Sequence, residues 1–177
     1  MRTIISVFLS MLFLTSLAVS QNKYTGVKFC AACHKAGKGG TSYAVWEKTA
    51  HAKAFETLKS AKAKQVAKER GLKTAPHESV ECLKCHVADG GTGKNIDKTY
   101  KMEEGVSCEV CHGAASGYKV LHSKPNSLEK AKAAGLIEGD MTGKSCEKCH
   151  NEESPSFKGF KYEEMWAKIE HTSKEKK

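Results

Sequence analysis

Apolar residues are gathered at one end of this chain and thinly scattered through the rest. Positions 4–19 form a 16-residue apolar run broken only by Ser6, Ser10, Thr15 and Ser16. Arg2 precedes it, and the small residues Ala18, Val19 and Ser20 close it. A basic start, an apolar middle shorter than the ~20 residues of a membrane span and a small-residue end read as a secretory signal peptide. Residues 1–20 are thus expected to be cleaved near Ser20, leaving 21–177 as one domain, and no twin-arginine pair diverts the chain from the ordinary export route.

Beyond the leader, helical periodicity surfaces in three places. Residues 42–70 are rich in Ala, Lys and Glu, hold no Gly or Pro, and stop at Gly71 before Pro76. They predict one long helix or two short ones, with His51, Phe55 and Leu58 on a shared face and Ala54 beside them. Residues 127–134 predict a short helix with Ser127 as N-cap and Gly135 as its stop. Residues 162–172 predict a third, with Tyr162, Trp166 and Ile169 on one stripe. Residues 88–105, carrying Gly90, Gly91, Gly93 and Gly105, read as a loop, and no alternating run marks a strand.

Composition changes this picture. Leu, Ile, Val and Phe supply 21 of the 157 residues after position 20, about 13%. Below about one-fifth, and with a net charge of +8 after the leader, a chain cannot build a core from its own side chains. Either it is disordered or something else fills its interior.

The cysteines decide between these. All eight fall in pairs with two residues between and a histidine directly after: Cys30/Cys33/His34, Cys82/Cys85/His86, Cys108/Cys111/His112 and Cys146/Cys149/His150. C-x-x-C-H is the attachment signature of c-type haem. Its two thiols add across the two vinyl groups, which sets their spacing, and the next residue brings an imidazole under the iron. A disulfide framework or a zinc ribbon leaves four trailing histidines unexplained.

The expected cofactors are four covalently bound haems, attached through Cys30, Cys33, Cys82, Cys85, Cys108, Cys111, Cys146 and Cys149. His34, His86, His112 and His150 are the expected proximal ligands. The fold class expected is mainly α, a haem-cored multihaem cytochrome with short helices, long loops and little or no sheet. The histidines are 52, 26 and 38 residues apart, which argues against tandem duplication of one module. Four macrocycles in a domain with a radius of gyration of about 15 Å must lie edge to edge, so electron transfer is the default function.

Four histidines remain for the sixth positions. His51 lies on an apolar helix face and His122 follows Tyr118, Val120 and Leu121, so both read as ligands. His171 lies off its helix stripe among lysines, where a solvated role competes. His77 follows Pro76 in a polar turn and reads equally as a surface residue. Met102, Met141 and Met165 are rival ligands that would raise the potential of a haem they bound.

The run Cys30-Ala-Ala-Cys-His34 followed by Trp46-Glu-Lys-Thr-Ala-His51, then Gly105-Val-Ser-Cys-Glu-Val-Cys-His-Gly113 and His122, then Cys146 to His150, Phe157 and Trp166-Ala-Lys-Ile-Glu-His171, resembles the tetrahaem cytochrome c-554 family. The resemblance covers nearly all of the mature chain. It implies a mostly helical fold around stacked and perpendicular haem pairs. It further implies that His122 caps the haem of His34, His51 that of His150, and His171 that of His112. In that family the haem corresponding to His86 is five-coordinate, and His77 has no place in the pattern.

Charge narrows the partners. After the leader there are 27 lysines and one arginine, Arg70. Without arginine, bidentate phosphate recognition is missing, so a nucleic-acid reader is excluded. Lysine-rich patches suit transient docking of redox partner proteins, while the propionates of four haems would offset most of the bulk charge. A membrane enters only through an electron-accepting partner. The function expected is a periplasmic electron carrier between a dehydrogenase, such as a hydroxylamine-oxidising one, and a downstream acceptor. Two alternatives stand beside it: a haem enzyme reducing nitric oxide, nitrite or hydroxylamine at an open haem 2, and a subunit of an extracellular electron conduit.

Overall fold

The computed structural model describes residues 21–36, 40–139 and 142–171. The signal-peptide reading of 1–20, Met141 and the last residue of the expected 162–172 helix lie outside the described residues.

The chain forms helices only where four to nine residues run without a competing side chain. In order these are α1 (Val27–His34), α2 (Ser42–Trp46), α3 (Ala54–Thr57), α4 (Ala61–Glu69), α5 (Val80–His86), α6 (Cys108–His112), α7 (Leu128–Ala133), α8 (Lys144–Glu147) and α9 (Tyr162–Trp166). Single 3-10 turns stand at His51–Lys53 and Met102–Glu104. Among the described residues there is no strand, only one isolated parallel bridge between Tyr24 and Ile96. The fold is mainly α.

The expected helix over 42–70 is broken into α2, the 3-10 turn, α3 and α4. Hydroxyls account for the breaks. Thr49 Oγ1 donates to Trp46 O at 2.7 Å, Thr57 Oγ1 donates to Lys53 O at 3.1 Å, and the Ser60 hydroxyl accepts from Ala63 N at 3.1 Å to start α4 afresh. Such side-chain bonds compete with the helix ladder, so a long propensity run becomes several short turns. The 162–172 helix is likewise shorter than expected, ending at Trp166 and continuing as turns through Ile169 N to Trp166 O at 2.9 Å. Around 127–134 the helix forms, but Ser127 does not cap it with its side chain. Its hydroxyl donates instead to the Leu121 and Lys124 carbonyls, tying the helix to the preceding segment. The 88–105 loop is ordered by Asp89, whose carboxylate accepts from Gly91 N, Gly93 N at 2.8 Å and the Tyr100 hydroxyl at 2.7 Å. That loop ends in the Met102–Glu104 turn, which sequence periodicity did not mark.

Helix α1 packs on α2 and α6, while α3 packs on α5 and on the Met102–Glu104 turn. Two small apolar clusters result: Phe55, Leu58, Leu83 and Val87 between α3 and α5, and Ala115, Tyr118 and Ala131 beneath α7. Ten apolar residues are buried among the described residues, and four of these are alanines. That is too little apolar surface to offset the ordering of more than a hundred residues at ~1.5 kcal/mol each. The chain produced without haem is therefore expected to be unfolded, with a coil-like far-ultraviolet circular dichroism spectrum and an expanded scattering radius. A compact, helical apo-chain would contradict this.

Candidate functional site

In an α-helix, positions i, i+3 and i+4 lie on one face. The C-x-x-C-H spacing is that pattern, so α1, α5 and α6 each present two thiols and one imidazole to the same side. The fourth motif begins in α8 and keeps the same turn, with His150 N bonded to Cys146 O at 2.9 Å. These helices carry no apolar periodicity, and the motif itself was the signal that located them. All eight cysteines are free thiols, and each keeps part of its surface accessible. Cysteine is normally among the most buried residues, so eight accessible thiols on helix faces mark positions for attachment rather than packing.

The structure brings six histidines together in pairs drawn from distant parts of the chain. The His34 and His122 rings lie 6.0 Å apart between centroids, with planes 4° from parallel. The His51 and His150 rings are 6.0 Å apart at 63°, and the His112 and His171 rings are also 6.0 Å apart at 63°. Two metal–nitrogen bonds of about 2 Å in line, plus about 1.1 Å from each nitrogen to its ring centre, add up to roughly 6 Å. No three His, Cys, Asp or Glu side chains converge to hold an ion by themselves among the described residues. A porphyrin-bound iron leaves two axial positions to the protein, and pairs satisfy that demand. The donor set fits c-type haem.

Hydrogen bonds to one ring nitrogen leave the other free to coordinate. The Nδ1–H of His86 donates to Ala54 O at 2.7 Å, and that of His112 donates to Ile137 O at 3.0 Å. The Nδ1–H of His122 donates to Tyr118 O at 3.1 Å and that of His171 to Ile169 O at 2.9 Å. Each bond selects the tautomer with its lone pair on Nε2 and raises the ring's basicity toward a metal. Burial first, then the neighbouring His150, pulls His51 below the ordinary histidine range; burial does the same to His150, and to His112 against the opposing hydrogen bond to Ile137. Such shifts favour the uncharged ring that a metal ligand needs.

Backbone close to the histidines is held by contacts that sequence periodicity did not mark. His112 O accepts from Ile137 N at 3.0 Å while its ring donates to Ile137 O, a reciprocal tie between α6 and residues 135–137. Gly113 permits it. Its φ is +81°, and a Cβ there would stand 2.5 Å from Gly135 O. Gly105 similarly lets its chain approach the His51 turn, where Val106 N bonds His51 O at 3.0 Å and Val106 O accepts from Trp46 Nε1 at 2.8 Å. Phe160 stacks on the His150 ring at 5.0 Å. His171, which sequence placed off the apolar stripe, is half-buried against His112 because the chain turns after Trp166.

His86 and His77 are not brought together. Among the described residues no imidazole stands at 6 Å from His86. The His77 ring meets Phe55 edge-on at 6.4 Å, its Nε2 lies 3.9 Å from Glu78, and its buried Nδ1 has no hydrogen-bond partner. The motifs also neighbour one another. A hydrogen bond from Cys108 holds the Cys30 thiol down, and burial together with the adjacent Cys85 pushes Cys149 up to about 12. The charge of Cys146 adds to burial in raising Cys111. Helix α1 packs on α6, so the first motif neighbours the third, and Lys84, between Cys82 and Cys85, pairs with Glu153 just beyond His150, which brings the second motif near the fourth.

Replacing Gly113 by Ala is expected to cost the holoprotein about 2 kcal/mol, combining positive-φ strain with the clash at Gly135 O. Thermal unfolding followed by far-ultraviolet circular dichroism checks this, and an unchanged Tm would contradict it.

A family of proteins described as cytochrome c554 and c-prime matches residues 29–113 of the chain. A cytochrome c-554 of Nitrosomonas europaea is 33% identical over 152 residues, which cover 78% of this chain and 62% of the relative. The chain thus spans about three-fifths of that relative's length. No solved structure matches the chain.

Proposed function

We propose that this chain, similar to the cytochrome c-554 family over residues 29–113 and to a 33% identical cytochrome c-554, is a c-type cytochrome of that family that holds four haems and carries electrons between redox partner proteins in the periplasm. Bound c-type haem supplies a one-electron ferric/ferrous couple. The observation that carries the proposal is the set of three imidazole pairs at one common separation of 6.0 Å.

In this reading Cys30, Cys33, Cys82, Cys85, Cys108, Cys111, Cys146 and Cys149 hold the haems, and His34, His86, His112 and His150 take their proximal positions. His122 is paired with His34, His51 with His150 and His171 with His112. The carbonyls of Tyr118, Ile137 and Ile169 orient the His122, His112 and His171 rings, so little rearrangement accompanies a change of charge at the site. Two neutral imidazoles per iron favour low potentials. The packing of α1 on α6, and the Lys84–Glu153 pair that brings the second motif near the fourth, support electron passage between neighbouring haems. Lysines dominate the surface charge and suit transient docking of acidic donor and acceptor proteins, a hydroxylamine-oxidising dehydrogenase being the donor type the family points to. The export signal proposed for residues 1–20 agrees with that compartment. No helix of the described residues is long and apolar enough to cross a membrane.

A second reading rests on His86. With no imidazole opposite it and His77 turned toward Phe55, the haem of the second motif keeps one position for an exogenous ligand, the requirement for reducing nitric oxide, nitrite or hydroxylamine.

Mass spectrometry of the holoprotein is expected to show four covalent haem additions, and fewer would contradict the proposal. Electron paramagnetic resonance of the oxidised form should count three low-spin haems and one high-spin haem, with uptake of one carbon monoxide on reduction. His77→Ala should leave that count unchanged. Four low-spin haems with no ligand uptake would remove the second reading while leaving the carrier standing.

A further inference from the structure

Glu109, one of the two residues between Cys108 and Cys111, is 1% exposed. No ion pair joins it to a lysine or arginine among the described residues. Its carboxylate instead gathers donors. Thr25 N reaches both oxygens at 2.8 and 3.0 Å, Gly26 N reaches Oε2 at 2.7 Å, Ala115 N reaches Oε1 at 2.8 Å, and Thr25 Oγ1 donates at 3.3 Å. Every partner is a donor. That is the surrounding an ionised carboxylate needs, since a protonated one would require an acceptor.

The donors come from two places that matter. Thr25 and Gly26 are the last residues before α1, the helix of Cys30, Cys33 and His34, and Glu109 itself lies in α6 with Cys108, Cys111 and His112. Glu104 completes the join by accepting from Val27 N at 2.9 Å, so the amides of Gly26 and Val27, at the start of α1, end on carboxylates brought from 77 or more residues away. The join fixes the first attachment helix against the third.

Its carboxylate stands beside both motifs that it joins, since Glu109 follows Cys108 in α6 while Thr25 and Gly26 directly precede α1. Tyr24 lies just before α1, and the Tyr118 ring meets His122, the partner of His34, edge-on at 5.9 Å.

We infer that Glu109 is a positioning residue that clamps the first and third haem-attachment helices together and, as a fixed buried anion, holds the potentials of those two haems down. A negative charge in a low-dielectric interior favours the more positive, oxidised form of a nearby iron. This inference rests on the tetrahaem reading and extends it.

Spectroelectrochemical titration of the purified holoprotein tests it. Glu109→Gln keeps the shape and removes the charge, and two of the four midpoint potentials should rise while the other two stay. If no midpoint moves, or all four move together, the inference is overturned. Should Glu109→Gln fail to yield holoprotein, Thr25→Val withdraws the hydroxyl donor, keeps the side-chain shape and leaves the carboxylate less neutralised. The same two midpoints should then fall, a shift opposite in sign, and unmoved midpoints would overturn the inference. A purely structural role would lower Tm in both variants without the opposed shifts. Failure of the tetrahaem reading itself would register separately, as a wild-type protein with fewer than four haems.

Discussion

A helix of four to nine residues does not persist alone in water, because the cost of its first turn is not recovered over so short a length. This chain is made of such helices, and its two apolar clusters are too small to pin them. The structure therefore depends on cross-ties between residues far apart in sequence. Imidazole pairs are the principal ones. His34 with His122, His51 with His150 and His112 with His171 each join segments separated by 59 to 99 positions. Where proteins of ordinary composition place a layer of Leu and Ile, this one places ligand pairs.

The polar ties are built on the same logic. Carbonyls of Ala54, Tyr118, Ile137 and Ile169 accept from imidazole Nδ1 groups, and the buried Glu109 collects the amides that begin α1. Each bond does two things at once. It satisfies a buried backbone group that would otherwise cost ~1–3 kcal/mol, and it fixes the orientation of a side chain at the site. Stability and function draw on the same contacts, which is why so few residues lie outside them. The surplus surface is lysine, whose flexible charge suits brief encounters better than tight complexes.

Asymmetry among the four motifs arises from this packing. Three attachment histidines meet a second imidazole, while His86 is set against the Ala54 carbonyl and the apolar cluster of Phe55, Leu58, Leu83 and Val87. The carrier and the ligand-binding readings differ at that one position alone. An electron carrier is served by rings that do not move, and a ligand-binding centre by a position the chain leaves to another molecule.

The four C-x-x-C-H motifs pointed to c-type haem and to the cysteines and histidines proposed to hold it without any structure, because the chemistry is local and its i, i+3, i+4 spacing is complete within five residues. The shortage of apolar residues likewise determined that the core had to come from elsewhere. His51 and His122 were legible from their neighbours, and the resemblance of the chain to its family supplied the pairings. The tertiary structure decided the rest. Hydroxyls of Thr49, Thr57 and Ser60 broke a run that propensity would have kept helical. His171 was turned inward from a lysine-rich stretch, His77 was kept away from His86, and Glu109 was buried beneath another helix's first turn. The hydroxyl breaks are local bonds that helix propensity does not weigh, whereas the placements of His171, His77 and Glu109 are not visible in the sequence, since each depends on a partner far along the chain and on space that exists only after the helices have met.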